Sequence, residues 1–270
     1  MTPRNEQRGG EGIDVAGPSD AQPIVFVHGA IFTRKQWAPQ RRGLSDRFRV
    51  VAPDLPGHGA RADEPFRMAP AIDVLEEALE RHTDGSAVLV GLSLGGYVAT
   101  EYAYRNPDAI DGLVLSGCSA NPVRGLDRGT RLAGGLGRLL TKPDLGSRAV
   151  EKLATRWVRT RDLAPAIERE IVDAGFYPRG FGDAGPELAG EDFRAKLSTV
   201  PASTLVLNGE GDRLMRRGQR DHAAAARDGR VEVLANTGHI CNLDRSDTYT
   251  DRIRRFVRRS VPTEQQGRQG

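Results

Sequence analysis

The sequence predicts an α/β domain: a mostly parallel, doubly wound sheet flanked by helices, with a helical block inserted into it. Three observations carry that expectation. Short apolar, β-branched runs recur along the chain with helix-like or loop segments between them. Each run is continuously apolar rather than alternating, as suits strands buried on both faces of a parallel sheet. One stretch of about 80 residues breaks the rhythm with helix-like segments alone, too long for a simple loop.

In chain order, the first runs are Ile24–Val27 and Arg49–Ala52. The helix-like segment Ala71–Leu79 follows, with Ala71, Ile72, Leu75, Ala78 and Leu79 on one stripe and Asp73, Glu76, Glu77 and Glu80 opposite. That is the pattern of a helix laid on a sheet. Further strand-like runs are Ala87–Val90 and Leu113–Leu115. The insertion is expected over 121–200, with helices at Gly125–Leu140, Arg148–Arg159 and Pro165–Gly175 and Gly/Pro punctuation at Lys142–Gly146 and Tyr177–Gly190. Two more strands are expected at Thr204–Leu207 and Val231–Leu234. The last apolar residues, Ile253, Phe256 and Val257, have helical spacing, interrupted by Arg252, Arg254, Arg255, Arg258 and Arg259. This reads as an amphipathic helix with a solvated basic face. The sheet domain is thus expected over 22–120 and 201–261. Polar, aperiodic ends are expected to be flexible over 1–21 and 262–270.

Composition narrows the function. The 270 residues carry 28% charged side chains and a net charge of +3, but the positive charge is mostly Arg spread among acids along the chain. A nucleic-acid partner would call for a concentrated basic element with interleaved aromatics, so none is expected. No apolar run of about 18 residues is present to span a bilayer, and no membrane association is expected. The polar, Gly-rich start has no secretory-type hydrophobic segment, so a cytoplasmic setting is expected. Cys118 and Cys241 are too few for a disulfide framework and lack metal-ligand spacing. No cofactor and no metal are expected. Oligomeric state is not encoded legibly.

Three residues carry candidate chemistry. Gly91-Leu92-Ser93-Leu94-Gly95 follows a strand and runs into a helix start. A tight strand-to-helix turn needs small residues around a strained nucleophile and would lift the Ser93 hydroxyl above the sheet edge, beside a helix N-terminus that favours developing negative charge. A plain Gly-rich turn is the bland alternative. A serine hydroxyl needs a base to take its proton. Of the five histidines, His28, His58, His82 and His222 read as structural, whereas His239 follows the last core strand in a loop of small residues. A carboxylate to orient that ring is available after Thr204–Leu207, where Asp212 is favoured over Glu210; no acid occupies Ser116–Asn121. Pairing of Asp212 with Arg213 or Arg216 is its bland alternative.

Together these residues resemble the α/β-hydrolase family, in particular its small, capped serine hydrolases related to esterases, enol-lactonases and cofactor-free haloperoxidases. Four motifs carry the resemblance: Val27-His28-Gly29-Ala30, Asp54-Leu55-Pro56-Gly57-His58-Gly59, the Gly91–Gly95 elbow, and Gly238-His239. The order Ser93, Asp212, His239 is the family's order. The resemblance implies Ser93 as nucleophile, His239 as base then acid, and Asp212 as its orienting partner. It also implies an oxyanion hole from the backbone N–H groups of Ala30 and Leu94, and a cap over 121–200. Ile31, Arg34, Cys118 and Ile240 lie close enough to these motifs in sequence to be candidates for the pocket wall. Arg34 and Lys35 either face the pocket, favouring an anionic substrate, or point to solvent. Cys118 and Cys241 both fall near the expected catalytic loops, where a thiol reagent would at most slow the enzyme sterically. Many family members open with an antiparallel strand pair; only Gly12–Ala16 is available here, so the first strand is expected to be lost or very short. The implied reaction is hydrolysis of a small-to-medium carboxylic ester or lactone. The rival readings are C–C bond hydrolysis or lyase chemistry on a small metabolic acid, and a non-catalytic binding role on the same scaffold.

Overall fold

The computed structural model describes residues 12–123, 126–141 and 144–260. Seven strands form one sheet in the order β1-β3-β2-β4-β5-β6-β7. They are β1 (Ile13–Ala16), β2 (Pro23–Val27), β3 (Arg49–Pro53), β4 (Ala87–Leu92), β5 (Ile110–Ser116), β6 (Thr204–Gly209) and β7 (Gly229–Leu234). All pairings are parallel except β1 with β3. Each of the six expected apolar runs lies inside one of the six parallel strands. β2 to β6 are almost wholly buried, as continuous apolar runs require. β7 departs from that expectation: it is the sheet's last strand, and only Leu234 in it is fully buried.

The helices before the insertion are α1 (Ala38–Leu44), α2 (Met68–His82) and α3 (Leu94–Arg105). Five more follow β5: α4 (Leu126–Thr141), α5 (Asp144–Val158), α6 (Pro165–Asp173), α7 (Arg179–Leu188) and α8 (Phe193–Leu197). α9 (Arg213–Ala225) lies between β6 and β7, and α10 (Cys241–Asp244) and α11 (Ser246–Ser260) close the described chain. One apolar cluster, with Leu75, Leu89, Val98 and Leu113, fills one side of the sheet. A second, with Phe26, Trp37, Val90, Tyr249 and Phe256, fills the other. The expected basic-faced terminal helix is α11, which buries Ile253, Phe256 and Val257.

Three expectations need correction. The segment expected to be flexible up to residue 21 contains β1, paired Ile13↔Pro53 through Ala16↔Val50. It is four residues long, with glycines at φ +90° on both sides; a Cβ at Gly17 would fall 2.0 Å from the Phe48 carbonyl oxygen. Residues 1–11 of that segment and the tail 262–270 lie outside the described residues. Tyr177–Gly190, read as punctuation, contains α7. The insertion expected to reach residue 200 also hands its end back to the core: Phe193, Leu197 and Val200 are buried in the same cluster as α2 and α3, and Phe193 stacks on Tyr97 at 4.8 Å between ring centroids.

Candidate active site

Ser93 makes the whole turn between β4 and α3 by itself. Its backbone sits at φ 56°, ψ −119°, a region that a residue with a Cβ occupies only when its surroundings impose it. The constraints are visible. The Ser93 N–H donates to the Ser116 carbonyl at 2.7 Å, and the Ser93 carbonyl accepts from the Gly96 N–H at 2.9 Å. A Cβ on Gly91 would lie 2.3 Å from the Gly95 carbonyl oxygen, and one on Gly95 would lie 2.1 Å from that of Val27. The flanking glycines are therefore required by backbone packed on backbone.

The sheet order brings the partners to this turn. β5 and then β6 and β7 lie to one side of β4, so the loops after β6 and β7 reach back over its C-terminal edge, where ligands meet open parallel sheets. Asp212 caps α9, accepting from the Met215 N–H at 3.4 Å. The His239 Nδ1–H donates to Asp212 Oδ2 at 2.6 Å, and the Ser93 hydroxyl donates to His239 Nε2 at 3.0 Å. A carboxylate can only accept, so Asp212 keeps the ring proton on Nδ1 and leaves the Nε2 lone pair for the serine. Asp212 is 8% exposed and His239 38%. Glu210, the weaker candidate, accepts instead from the Asn236 N–H at 3.0 Å, and Arg216 donates to the Glu210 carbonyl rather than to Asp212.

On the other side of Ser93, the loop after β2 is held at every peptide that matters. The Gly29 N–H donates to Gln36 Oε1 at 2.8 Å, and Gln36 is in turn bonded to the buried Asn242. His28 Nδ1–H donates to the Gly29 carbonyl while its Nε2 accepts from the Leu55 N–H at 2.9 Å. Burial and the neighbouring His58 push the His28 pKa well below the usual imidazole value, consistent with that neutral, one-donor role. His58 Nε2 lies 2.8 Å from the Ala30 carbonyl, and the Tyr177 N–H donates to the Ile31 carbonyl at 2.8 Å. Leu94 is the first residue of α3, so its N–H has no carbonyl a turn earlier to bond. Sequence reasoning did not anticipate Gln36 and Asn242, which lie 206 residues apart along the chain and carry no local motif.

A cavity of about 460 Å³ opens on Ser93, with Ala30, Leu94, Asp212 and His239 in its wall. The rest of the lining comes mainly from α3, α4 and α7. None of the four residues expected in the wall, Ile31, Arg34, Cys118 and Ile240, is part of it, so those expectations are corrected. Arg34 is turned away: it is paired with Asp14 of β1 and with the buried Asp54. Lys35 pairs with Asp14 at 2.6 Å and Glu170 at 3.3 Å. Burial alone would raise Asp14, but Lys35 and Arg34 outweigh it and hold its carboxyl below the usual aspartate range. Ile31 and Ile240 pack into a third apolar cluster with Phe32, Val158 and Phe176. Cys118 is fully buried behind Gly96, and burial and Asp212 push its thiol up; Cys241 is likewise buried and pushed up to about 12. Both thiols are buried, which weighs against any steric slowing by a thiol reagent.

Part of the wall was missed because the residues where α4 and α7 meet are small. A Cβ on Gly134 would lie 2.8 Å from the Gly185 Cα, and one on Gly185 would lie 2.6 Å from the Gly134 Cα. The available signal was the run of small residues in α4 and the glycines of α7 at three-residue spacing, which let two helices approach closely. A second cavity, about 690 Å³, lies between the Gly57–Pro65 loop and the insertion, does not reach Ser93, and is lined by Asp63, Glu64, Arg148, Glu151, Arg179 and Asp183 among others. Among the described residues, no group of three or more His, Cys, Asp or Glu is placed to hold a metal ion, and no helix is long and apolar enough to cross a membrane.

Comparison with known proteins agrees with this architecture. The family model described as "Alpha/beta hydrolase family" matches residues 24–252. The chain is 27% identical to a pimeloyl-[acyl-carrier protein] methyl ester esterase of Nitrosospira multiformis, over 87% of this chain and 94% of that protein. Among solved structures it superposes on MenH from S. aureus with a TM-score of 0.75 at 22% identity, covering 92% of this chain and 98% of that one. It superposes on a thermophilic esterase from Thermogutta terrifontis with a TM-score of 0.73 at 25% identity, covering 93% of each.

Proposed function

Because the chain belongs to the α/β-hydrolase family, we propose that it hydrolyses carboxylic esters, lactones among them, through an acyl-enzyme on Ser93. The observation that carries the reading is the unbroken relay Asp212–His239–Ser93, at 2.6 Å and 3.0 Å. The names of the Nitrosospira and Thermogutta relatives support the same bond type.

In the proposed mechanism, Ser93 Oγ attacks the ester carbonyl carbon as its proton passes to His239 Nε2, and the carbonyl π electrons move to oxygen. The Ala30 and Leu94 N–H groups receive that oxyanion. Aimed donors of this kind are each worth about 10²–10³ in rate. Asp212 stabilises the imidazolium that forms. Collapse re-forms the carbonyl and breaks the bond to the alkoxy oxygen, which takes the proton from His239 and leaves as an alcohol. Water then gives a proton to His239 and its oxygen to the acyl carbon. Ser93 departs with the returned proton, and a carboxylic acid is released. In a lactone, acid and alcohol remain one molecule.

The test is labelling by a fluorophosphonate probe together with turnover of p-nitrophenyl acetate. Wild type is expected to label and turn over, and Ser93→Ala to do neither. Labelling that survives in Ser93→Ala would move the nucleophile elsewhere and end this reading.

A further inference from the structure

The cavity over Ser93 is one-sided in its chemistry. Among the described residues lining it there is no Lys and no Arg; its one acid, Asp212, is taken up by a hydrogen bond to its one histidine, His239. The Tyr97 hydroxyl is taken up by the Ala120 carbonyl at 2.7 Å. Its deep wall is buried and apolar, with Leu94, Tyr97, Ala184 and Leu188 at 9% exposure or less. The mouth is apolar too: Leu126, Phe181 and Leu214 line it and are each half-exposed or more. Large apolar side chains standing at an opening are uncommon unless something apolar passes over them.

Resting on the ester-hydrolase reading above, we propose that the substrate carries an uncharged aliphatic arm of medium length, which lies along Leu94, Ala184 and Leu188 and runs out over Leu126 and Phe181. The cavity, about 460 Å³, is larger than an acetyl group needs, and its apolar wall continues from Leu94 and Ala184 to the rim, so an arm of several carbons has apolar surface along its whole length. The charge follows from the lining. An anionic group drawn into this cavity would lose its water, meet no Lys or Arg among the described lining residues and lie near Asp212, which is unfavourable. The cations nearest in sequence to the oxyanion loop, Arg34 and Lys35, are already bound to Asp14, Asp54 and Glu170. This also weighs against the rival chemistry on a small metabolic acid.

The experiment is a series of p-nitrophenyl esters from acetate to dodecanoate, with methyl octanoate set against the monomethyl ester of the eight-carbon diacid. The expected result is at least a ten-fold rise in kcat/KM from acetate to octanoate, and at least a ten-fold preference for the uncharged methyl ester. Ala184→Phe, which fills the deep wall, should cut the octanoate-to-acetate ratio about ten-fold. Phe181→Ser and Leu126→Ser alter exposed rim positions that do not hold the fold, and each should cut it about three-fold. Fluorophosphonate labelling of every variant verifies that Ser93 is still presented. A flat or falling chain-length profile in a protein that labels and turns over acetate overturns this inference and leaves ester hydrolysis standing; so does preference for the diacid ester. Absence of both labelling and ester turnover in wild type overturns both.

Discussion

In β4 all six residues from Ala87 to Leu92 are buried, whereas in α4 Leu132, Leu136 and Leu139 are 74%, 56% and 66% exposed. The contrast extends to the glycines. A Cβ at Gly95, at the end of the sheet, would collide with two carbonyl oxygens of β2 and its loop; one at Gly135, in the insertion, would meet nothing within 4 Å. The sheet is packed so that any change is felt; the insertion is packed where α4 meets α7, where α5 and α6 meet Phe32, and where α8 joins the core, and the outer face of α4 is open. Chemistry follows the same division. Ser93, Asp212 and His239 all stand on turns at the ends of sheet strands, while the insertion contributes only wall and rim. On the function proposed above, the rigid half positions the reacting atoms and the looser half chooses what reaches them. The division makes separable expectations: a change in the sheet half should alter rate or stability, and a change in the insertion should alter selectivity or very little.

The largest effect expected in the sheet half is on rate. Asp212→Asn keeps the size of the side chain and its cap on α9 but places an amide where His239 Nδ1 needs an acceptor. The ring then favours the other tautomer, and the serine loses its base. The fall in kcat should be about 10⁴-fold, equivalent to about 5.5 kcal/mol, with KM for a p-nitrophenyl ester little changed and the melting temperature within a few degrees of wild type. Steady-state kinetics with a melting curve decides it. A loss of less than ten-fold would mean that Asp212 does not orient the ring.

What could be read from the sequence follows the same line between the halves. Strands buried on both faces must be apolar throughout, so β2 to β6 announce themselves, and the residues of the relay sit in short motifs directly after strands. β1 gives no such signal. It has four residues between two glycines, too few for a pattern, and its partner is a distant stretch of chain, with Ala16 facing Val50 and Ile13 facing Pro53. The sequence placed a lost or very short strand at Gly12–Ala16 without its partner, and so left Arg34 open between pocket and solvent; the carboxylates that hold this side chain are Asp14 in β1 and Asp54. α7 was hidden for the opposite reason. With Gly180, Gly182, Gly185 and an internal Pro186, its intrinsic propensity is poor. Contact with α4 requires the small residues and overrides it: a Cβ on Gly182 would fall 2.7 Å from the Arg138 nitrogen. Tertiary close approach of this kind leaves no period to detect.

Next in size is stability of the elbow. Gly95→Ala forces a methyl into the space of the Val27 and His28 carbonyl oxygens, 2.1 Å and 2.7 Å away. The Val27 carbonyl cannot move without disturbing the end of the β2–β4 pairing, Val27↔Gly91. A loss of about 3 kcal/mol is expected, measured by urea unfolding, with activity falling as the Ser93 turn shifts. A variant of wild-type stability would mean that the turn is softer than its contacts imply.

Of similar or smaller size is a pH effect from the back of the sheet half. His222 on α9 is fully buried, and neither ring nitrogen has a hydrogen-bond partner among the described residues. Burial, with Arg194 adding to it, lowers its pKa to about 4. Unfolded, it titrates near 6.5. Between those values the unfolded chain holds a proton that the native chain does not, so stability is full above about pH 6.5 and falls as the pH drops toward 4. From pH 6.5 to 5.0 this one residue should contribute a loss of about 2 kcal/mol. His222→Leu should remove that part of the slope. Unfolding curves at the two pH values measure it, and an unchanged slope in the variant would assign the acid sensitivity to other groups.

The smallest expectation tests the loose half directly. Gly135 lies within α4, exposed, with open space where a Cβ would go and no part in the cavity wall. A glycine in a helix interior is disfavoured against alanine by about 0.8–1 kcal/mol, because it gives up more freedom on folding. Gly135→Ala should therefore raise stability by up to that amount, seen as a higher melting temperature, and leave the ester chain-length profile as it was. Set beside Gly95→Ala, the same atoms added to the same residue type carry opposite signs in the two halves. If both substitutions destabilised, the insertion would be packed as tightly as the sheet.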